Sequence, residues 1–438
     1  MMIVEEARNN NSLLSLVFFI TFVSLVLFDM TVYKYIWGIE SIARFFNFLT
    51  LLFFSILALI SIIVRNESKS VWIYIIIPAL LIFIATFINI TRALLYDPSV
   101  TSFYGILLPT VALLSCPFLI KSGILTSKII FKYYYAAMIT IVSLSIIEYL
   151  LVFSGKITPS LIMTSGGSFL ATNFSILYDL EDNIYNTTDL DVRFYASIIE
   201  TGSLAMLILP ALIYAVLKNL KVGALILLIG FIGTQSLGGL ASLALFLGML
   251  PFLLINISQF KLSSKMALFL FLYITLGILF SGIAFTYLLD LFDNKFAQTG
   301  GALGPTSGST RLDNITLLFG NLPSILVDNP LGYSLSTNSN DIFKDNFYGF
   351  NVGLGITIYN GGFLAFIGYS ILSLTYVYIA IKTFFMKNIT IDNAIASSSI
   401  IVLFPFFFQR GAIFETAILV LLVSPFVIQS LKNNHFKL

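Results

Sequence analysis

The stretch TGSLAMLILPALIYAVLKNLKVGALILLIGFIGTQSLGGLASLALFLGMLPFLLINI, residues 201–257, contains three apolar runs and only two charged residues, Lys218 and Lys221. A helix needs about 20 apolar residues to cross the hydrocarbon core of a bilayer. With their flanking residues, the runs cover 194–217, 222–235 and 237–257. This stretch therefore predicts three consecutive transmembrane helices joined by short connections.

The same pattern recurs along the whole chain. The 438 residues are 58% hydrophobic and 10% charged, with a mean hydropathy of +0.99, whereas about a quarter of the residues in a soluble domain are charged. Further candidate spans lie at 12–29, 45–64, 71–90, 103–120, 133–153, 266–289, 353–381, 394–408 and 411–429. We predict an all-α polytopic membrane protein, a single integral membrane domain over 1–438 with about 12 transmembrane helices.

The distribution of basic residues predicts the orientation of these helices. With the N-terminus inside, the inner loops and both termini contain 14 of the 23 lysines and arginines, as the positive-inside rule requires. The N-terminus lacks a signal-peptide pattern, so we expect the first apolar run to be retained. Both termini are then cytoplasmic, and two long segments, 154–193 and 290–352, become outer loops. The apolar half of the first one, 157–178, is a candidate for lying on the membrane surface.

Composition also excludes several kinds of site. The net charge of +2, without a basic patch interleaved with aromatics, gives no indication of a nucleic-acid partner. The single cysteine, Cys116, and the single histidine, His435, cannot form a cysteine or histidine metal cluster. Asp179, Glu181 and Asp182 form a loose acidic cluster that we interpret as solvated surface. We therefore expect no metal and no cofactor.

Five charged residues are predicted near the outer ends of helices: Glu148, Arg193, Glu200, Arg410 and Glu415. Each could be a side chain that extends to the membrane surface, but five such groups at one face also suggest a polar site. On a continuous helix Arg193 and Glu200 would share one face, with Glu200 about 10 Å deeper. A contact between Glu200 and Arg410 is one hypothesis, and a purely structural ion pair is the alternative.

Four segments give this arrangement a family resemblance. They are STRLDNITLLFGNLPSILVDNPLGYSLS (309–336), NFYGFNVGLGITIYNGGFLAFIG (346–368), RFYASIIETGSLAMLILP (193–210) and TQSLGGLASLALFLG (234–248). The first resembles the outer-loop arginine and the P-x-G-x-G-like turn of the O-antigen polymerase and ligase superfamily, with Arg311, Pro330 and Gly332. The second is similar to that family's re-entrant segment, with Asn360 before two glycines. The fourth lacks the arginine of the family pattern.

The resemblance implies a glycosyltransferase of the bacterial inner membrane that polymerises undecaprenyl-pyrophosphate-linked repeat units into O-antigen or a related polysaccharide. Asp345–Asn346 stand where ligases have a histidine, which favours a polymerase over a ligase. A flippase or other transporter of lipid-linked oligosaccharide is the alternative from another class. The partners implied are the polyprenyl-pyrophosphate-linked glycan and membrane lipid, and a chain-length regulator protein is a further candidate partner.

The resemblance and the chemistry together select the candidate site residues. Arginine suits a pyrophosphate because its fork gives bidentate contacts and stays charged, and a carboxylate could deprotonate the acceptor hydroxyl. The candidates for substrate binding are Arg193, Arg311, Arg410, Tyr333 and Asn360. The candidates for the catalytic carboxylate are Glu200, Asp313 and Asp345, among which the sequence does not choose.

Overall fold

The computed structural model describes residues 2–64, 67–96, 104–164, 167–179, 194–198, 200–257, 353–410 and 412–433, together with 320, 323, 326–327 and 330–332. These residues form a helix bundle with one small sheet. The helices are α1 Met2–Ser24, α2 Tyr33–Ile36, α3 Glu40–Ile63, α4 Lys69–Val71, α5 Ile77–Tyr96, α6 Tyr104–Lys121, α7 Ser127–Phe153, α8 Thr201–Leu217, α9 Lys221–Gly233, α10 Leu237–Asn256, α11 Gly353–Phe384, α12 Ile391–Arg410, α13 Ala412–Glu415 and α14 Ala417–Lys432. Two π-helical turns, Leu25–Met30 and Trp72–Ile76, extend α1 and join α4 to α5.

Six of the described helices are long and apolar enough to cross a membrane. They cover Ser12–Met30, Glu40–Ile63, Lys69–Arg92, Ser127–Phe153, Gly238–Asn256 and Gly361–Phe384. Five shorter apolar helices cover Leu107–Lys121, Thr201–Leu217, Lys221–Gly233, Ile391–Phe406 and Ala417–Lys432. All eleven overlap spans predicted from the sequence, while the predicted span 266–289 lies outside the described residues. The chain is therefore a helical membrane protein, and the count of about 12 spans stays a prediction.

Two short helices form the centre of the bundle. Almost every residue of α8 and α14 is buried, as expected for helices that are apolar on all sides. Helix α14 packs against α6 and α7, and α8 packs against α7, α9 and α12. Around this centre α3 pairs with α6, α5 with α11, and α11 with α12. Longer helices such as α3 instead expose leucine, isoleucine and phenylalanine on their outer sides, which suits contact with lipid.

Hydrogen bonds and ion pairs sort the connections between helices into two ends of the bundle. At one end, Lys218 pairs with Asp392 at 2.7 Å and Lys432 with Glu67 at 2.7 Å. We call this end the basic face, and its described residues are 64, 67–69, 121–127, 218–221, 256–257, 385–391 and 432–433. We call the opposite end the loop face, and its described residues are 31–39, 154–164, 167–179, 194–198, 200, 233–236 and 330–332. This separation agrees with the predicted alternation of the helices.

The first long loop contains a sheet that the sequence analysis did not predict. Strands β1 Ser160–Thr164, β2 Gly167–Ala171 and β3 Ile176–Asp179 form an antiparallel meander in the order β1-β2-β3. Phe169 and Ile176 are buried against Val32 and Tyr195, so one face of the sheet covers the loop face of the bundle. The apolar half of this loop is therefore folded as strands, and the all-α description applies only to the helical bundle.

Candidate functional site

Two of the four segments with family resemblance meet at a bend in α11. Gly362 has φ +57° and ψ −147°, which is not helical, and Phe363 N–H donates to the Pro330 carbonyl oxygen at 2.8 Å. A Cβ atom on Gly362 would lie 2.3 Å from Pro330 O and 2.4 Å from Gly332 N. Glycine is thus required both by the backbone angles and by space. Residues 330–332 and 361–363 form one structure, which we call the turn–kink unit.

Helix α5 fastens the turn–kink unit from the other side. Arg92 Nη1 donates to the Gly332 carbonyl oxygen at 2.8 Å, and Asn89 Nδ2 donates to the Leu331 carbonyl oxygen at 3.4 Å. Asn89 is 1% exposed and also donates to Ala85 O at 3.1 Å. Its Oδ1 is buried without a hydrogen-bond partner. Segments about 240 residues apart in sequence therefore form a single polar contact region near the loop-face end of α5.

Arg92 is the cation that the sequence analysis missed. It is partly exposed and forms no ion pair with any described residue. One of its N–H groups is bonded to Gly332, whereas a guanidinium has five in a planar fork, so it retains donors for an anionic ligand. The signal was present in the sequence, because Arg92 is a single charge just beyond the apolar run 71–90.

The other two segments also lie side by side. Phe194 N–H donates to the Gly233 carbonyl oxygen at 2.8 Å, directly before the segment 234–248. A Cβ on Gly239 would lie 2.8 Å from the Cβ of Ala205, so α8 and α10 approach closely. Helix α12 packs on α8 and on α11. Helix α12 therefore lies between α8 and α11, the helix that contains Gly362.

The expectation that Arg193 and Glu200 share one face of a continuous helix is wrong. Residues 194–198 are not helical, and α8 begins at Thr201 with Glu200 as its N-cap residue. Residues 195–198 instead form a turn, in which Ile198 N–H donates to Tyr195 O at 3.0 Å. This turn is held against the sheet and the segment before α2, because Ile176 N–H donates to Ala196 O at 2.6 Å and Val32 N–H to Ser197 O at 2.9 Å. Glu200 is exposed at the loop face, and its Oε2 accepts a hydrogen bond from Ser203 Oγ at 3.0 Å.

Most of the other predicted site residues are not covered by the described part of the chain. Arg193, Arg311, Asp313, Tyr333 and Asp345 lie outside it. Arg410 is the last residue of α12, and Asn360 lies in α11 before the bend, but their side chains are not described. Arg410 and Glu415 lie in separate helices, α12 and α13, rather than on one continuous helix. The convergence of the three arginines with Glu200 therefore stays a prediction.

Glu148 has a structural environment at the loop face. It is 5% exposed, and its Oε2 accepts hydrogen bonds from Thr172 Oγ1 and from Phe174 N–H, the latter at 2.9 Å. Burial raises the pKa of nearby Tyr33, and the charge of Glu148 raises that pKa further while the Ser197 hydroxyl opposes the shift. Glu148 therefore fastens the turn between β2 and β3 to α7, rather than extending to the membrane surface.

Among the residues that the structure describes, no three histidine, cysteine, aspartate or glutamate side chains are grouped as a metal site. Comparison of the chain with protein-family models, with curated proteins and with solved structures gives no match. The family resemblance of the four segments therefore stays a prediction.

Proposed function

We propose that this protein is a membrane glycosyltransferase that polymerises undecaprenyl-pyrophosphate-linked oligosaccharide repeat units into O-antigen or a related surface polysaccharide. In this proposal the loop face is the periplasmic side of a bacterial inner membrane, and both termini are cytoplasmic. The donor glycan reaches the site within the outer leaflet, where its lipid stays in the bilayer and its pyrophosphate lies at the membrane surface.

One observation supports the proposal most. The four segments that resemble the family form two contacting pairs near the loop face, through Phe363 to Pro330 and through Gly239 to Ala205. Both pairs lie near the loop face, where the described part of the first long loop also folds, and this favours a common site.

The chemistry of this site would be a displacement at the anomeric carbon of the donor sugar. A hydroxyl of the acceptor glycan attacks that carbon, the bond to the pyrophosphate oxygen breaks, and the polyprenyl pyrophosphate leaves. The hydroxyl proton passes to a carboxylate, for which Glu200, Asp313 and Asp345 are the candidates. Guanidinium groups offset the negative charge on the leaving pyrophosphate, and Arg92 joins Arg193, Arg311 and Arg410 in that role.

A deletion strain tests the proposal in cells. Without this protein, we expect the surface glycolipid to have a single repeat unit in place of a ladder of chain lengths, because units are still exported and transferred. A plasmid copy restores the ladder. Accumulation of long lipid-linked polymer that never reaches the surface acceptor would instead indicate a ligase. Repeat units that stay on the cytoplasmic side would indicate a flippase, and either result would contradict the proposal.

A further inference from the structure

Two aromatic side chains at the loop face, Tyr33 and Phe174, pack against the indole ring of Trp37 and hold it in a fixed position. Trp37, just after α2, stacks on Tyr33 with ring centroids 4.7 Å apart and planes 8° apart. Phe174 meets both rings edge-on, 6.2 Å from Tyr33 and 6.3 Å from Trp37. The indole Nε1–H donates to the backbone oxygen of Asn173 at 2.9 Å. The ring cannot turn without losing contacts to two separate parts of the chain.

The turn that supplies Asn173 and Phe174 is itself firmly held. Thr172 N–H donates to Ser175 O at 2.8 Å and closes the turn between β2 and β3. The buried carboxylate of Glu148 accepts from the backbone N–H of Phe174 at 2.9 Å. The indole position is therefore set before any ligand arrives, and a ligand would lose little free energy to ordering this surface.

Trp37 is the solvent-exposed member of the stacked pair, and Tyr33 covers one face of its indole. Trp37 is 39% exposed, whereas Tyr33 beneath it is 3% exposed. A tryptophan of the interfacial belt sits at the headgroup level with a free polar edge, but the N–H of Trp37 is already bonded within the protein. Glu40 and Arg44, 49% and 67% exposed in their side chains, follow it closely in the chain. The two side chains form an ion pair at 3.6 Å, and charges of both signs in the segment that follows Trp37 suit a ligand with hydroxyl groups better than an acyl chain.

We propose that the exposed face of Trp37 is a stacking platform for a pyranose ring of the glycan. A pyranose presents C–H bonds on one face, which can pack on the electron-rich face of the indole. Its hydroxyl groups lie at the rim, where Asn173, an exposed residue whose backbone oxygen accepts from the indole N–H, offers a hydrogen-bonding side chain. The inference rests on the proposed function to the extent that it takes a glycan to lie at the loop face.

The two tryptophans of the chain, Trp37 and Trp72, permit a direct binding test. The Trp72→Phe protein has Trp37 as its single indole, and the matched Trp37→Phe protein has only Trp72, close to the basic face. Each is purified in detergent and titrated with repeat-unit oligosaccharide released by mild acid from the lipid-linked intermediates of the source cells. Each is then placed in vesicles that contain dibrominated phosphatidylcholine, which quenches indoles in contact with acyl chains.

We expect a saturable fluorescence change with oligosaccharide for Trp37 and none for Trp72, with Trp37 quenched less by the brominated lipid than Trp72. Two results would overturn the platform: no saturable change for Trp37, or quenching of Trp37 at least as strong as that of Trp72. The readout does not depend on polymerisation. If the protein extends chains but shows no saturable change in this titration, only the platform is disproved. If it shows the saturable change but does not extend chains, only the proposed function is disproved.

Discussion

Replacing Gly362 by alanine should detach the turn 330–332 from α11. The angles φ +57° and ψ −147° lie in a region essentially restricted to glycine, where another residue costs about 1–3 kcal/mol. The new Cβ would also lie 2.3 Å from Pro330 O, so the turn must move by about an ångström or more. That movement breaks the 2.8 Å hydrogen bonds from Phe363 N and from Arg92 Nη1, worth about 1 kcal/mol and about 1.5–3 kcal/mol. We expect the local opening free energy to fall by roughly 3.5–7 kcal/mol.

Cysteine labelling can measure this opening. Asn89 is 1% exposed beneath the turn, and the one native cysteine, Cys116, is fully buried. In an Asn89→Cys reporter protein, the labelling rate by a maleimide follows the population of the open state. A loss of about 3.5 kcal/mol corresponds to a rate increase of more than roughly a hundredfold, since every 1.4 kcal/mol is a factor of ten.

A matched control comes from Gly248, a glycine within α10. A Cβ on Gly248 in α10 would meet no atom within 4 Å, so Gly248→Ala in the same reporter protein should leave the labelling rate at residue 89 unchanged. Helix propensity even predicts a small gain in stability, of up to about 1 kcal/mol. Equal labelling rates in the Gly362→Ala and Gly248→Ala proteins would refute the role given to the turn–kink unit.

Three further predictions concern Glu148, the candidate arginines and the dependence of activity on metal. Glu148→Ala should destabilise the purified protein by about 2–4 kcal/mol, because Thr172 and Phe174 lose their buried acceptor. Glu148→Gln keeps an acceptor oxygen and should melt at a higher temperature than Glu148→Ala. Equal melting temperatures for the two variants would contradict this. Lysine in place of Arg193, Arg311 or Arg410 keeps the charge but loses the fork, so polymers in cells should become much shorter at normal protein levels; near-normal polymer from all three would defeat the pyrophosphate role. Activity should survive a chelator, since arginines offset the pyrophosphate charge, and loss with recovery on adding magnesium would disprove that reasoning.

The helices could be predicted from the sequence because transfer of apolar residues into lipid dominates their placement. Among the described residues, all six membrane-length helices and all five shorter apolar helices overlap predicted spans. The sheet was missed for the same reason. Its strands and the non-helical residues 194–198 are apolar, and hydropathy alone does not distinguish a buried strand from a helix end. What sets their conformation is pairing with each other, as in Ile176 N–H to Ala196 O.

The site was predicted only in part. Pro330, Gly332 and the glycines after Asn360 were identified as features of separate segments, but their contact was not. Asn89 and Arg92 were missed because their hydrogen bonds to 331 and 332 join residues about 240 positions apart. No local pattern encodes such a contact, which depends on how α5 and α11 pack together.

Chain growth by the purified protein is the most direct test of the proposed function. The protein is reconstituted in vesicles with purified lipid-linked repeat units as the sole glycan, and products are separated by size. We predict a ladder in which each step adds one repeat unit and releases one polyprenyl pyrophosphate. Repeat units that cross the bilayer while keeping their original length, with no pyrophosphate released, would contradict the polymerase and favour a transporter.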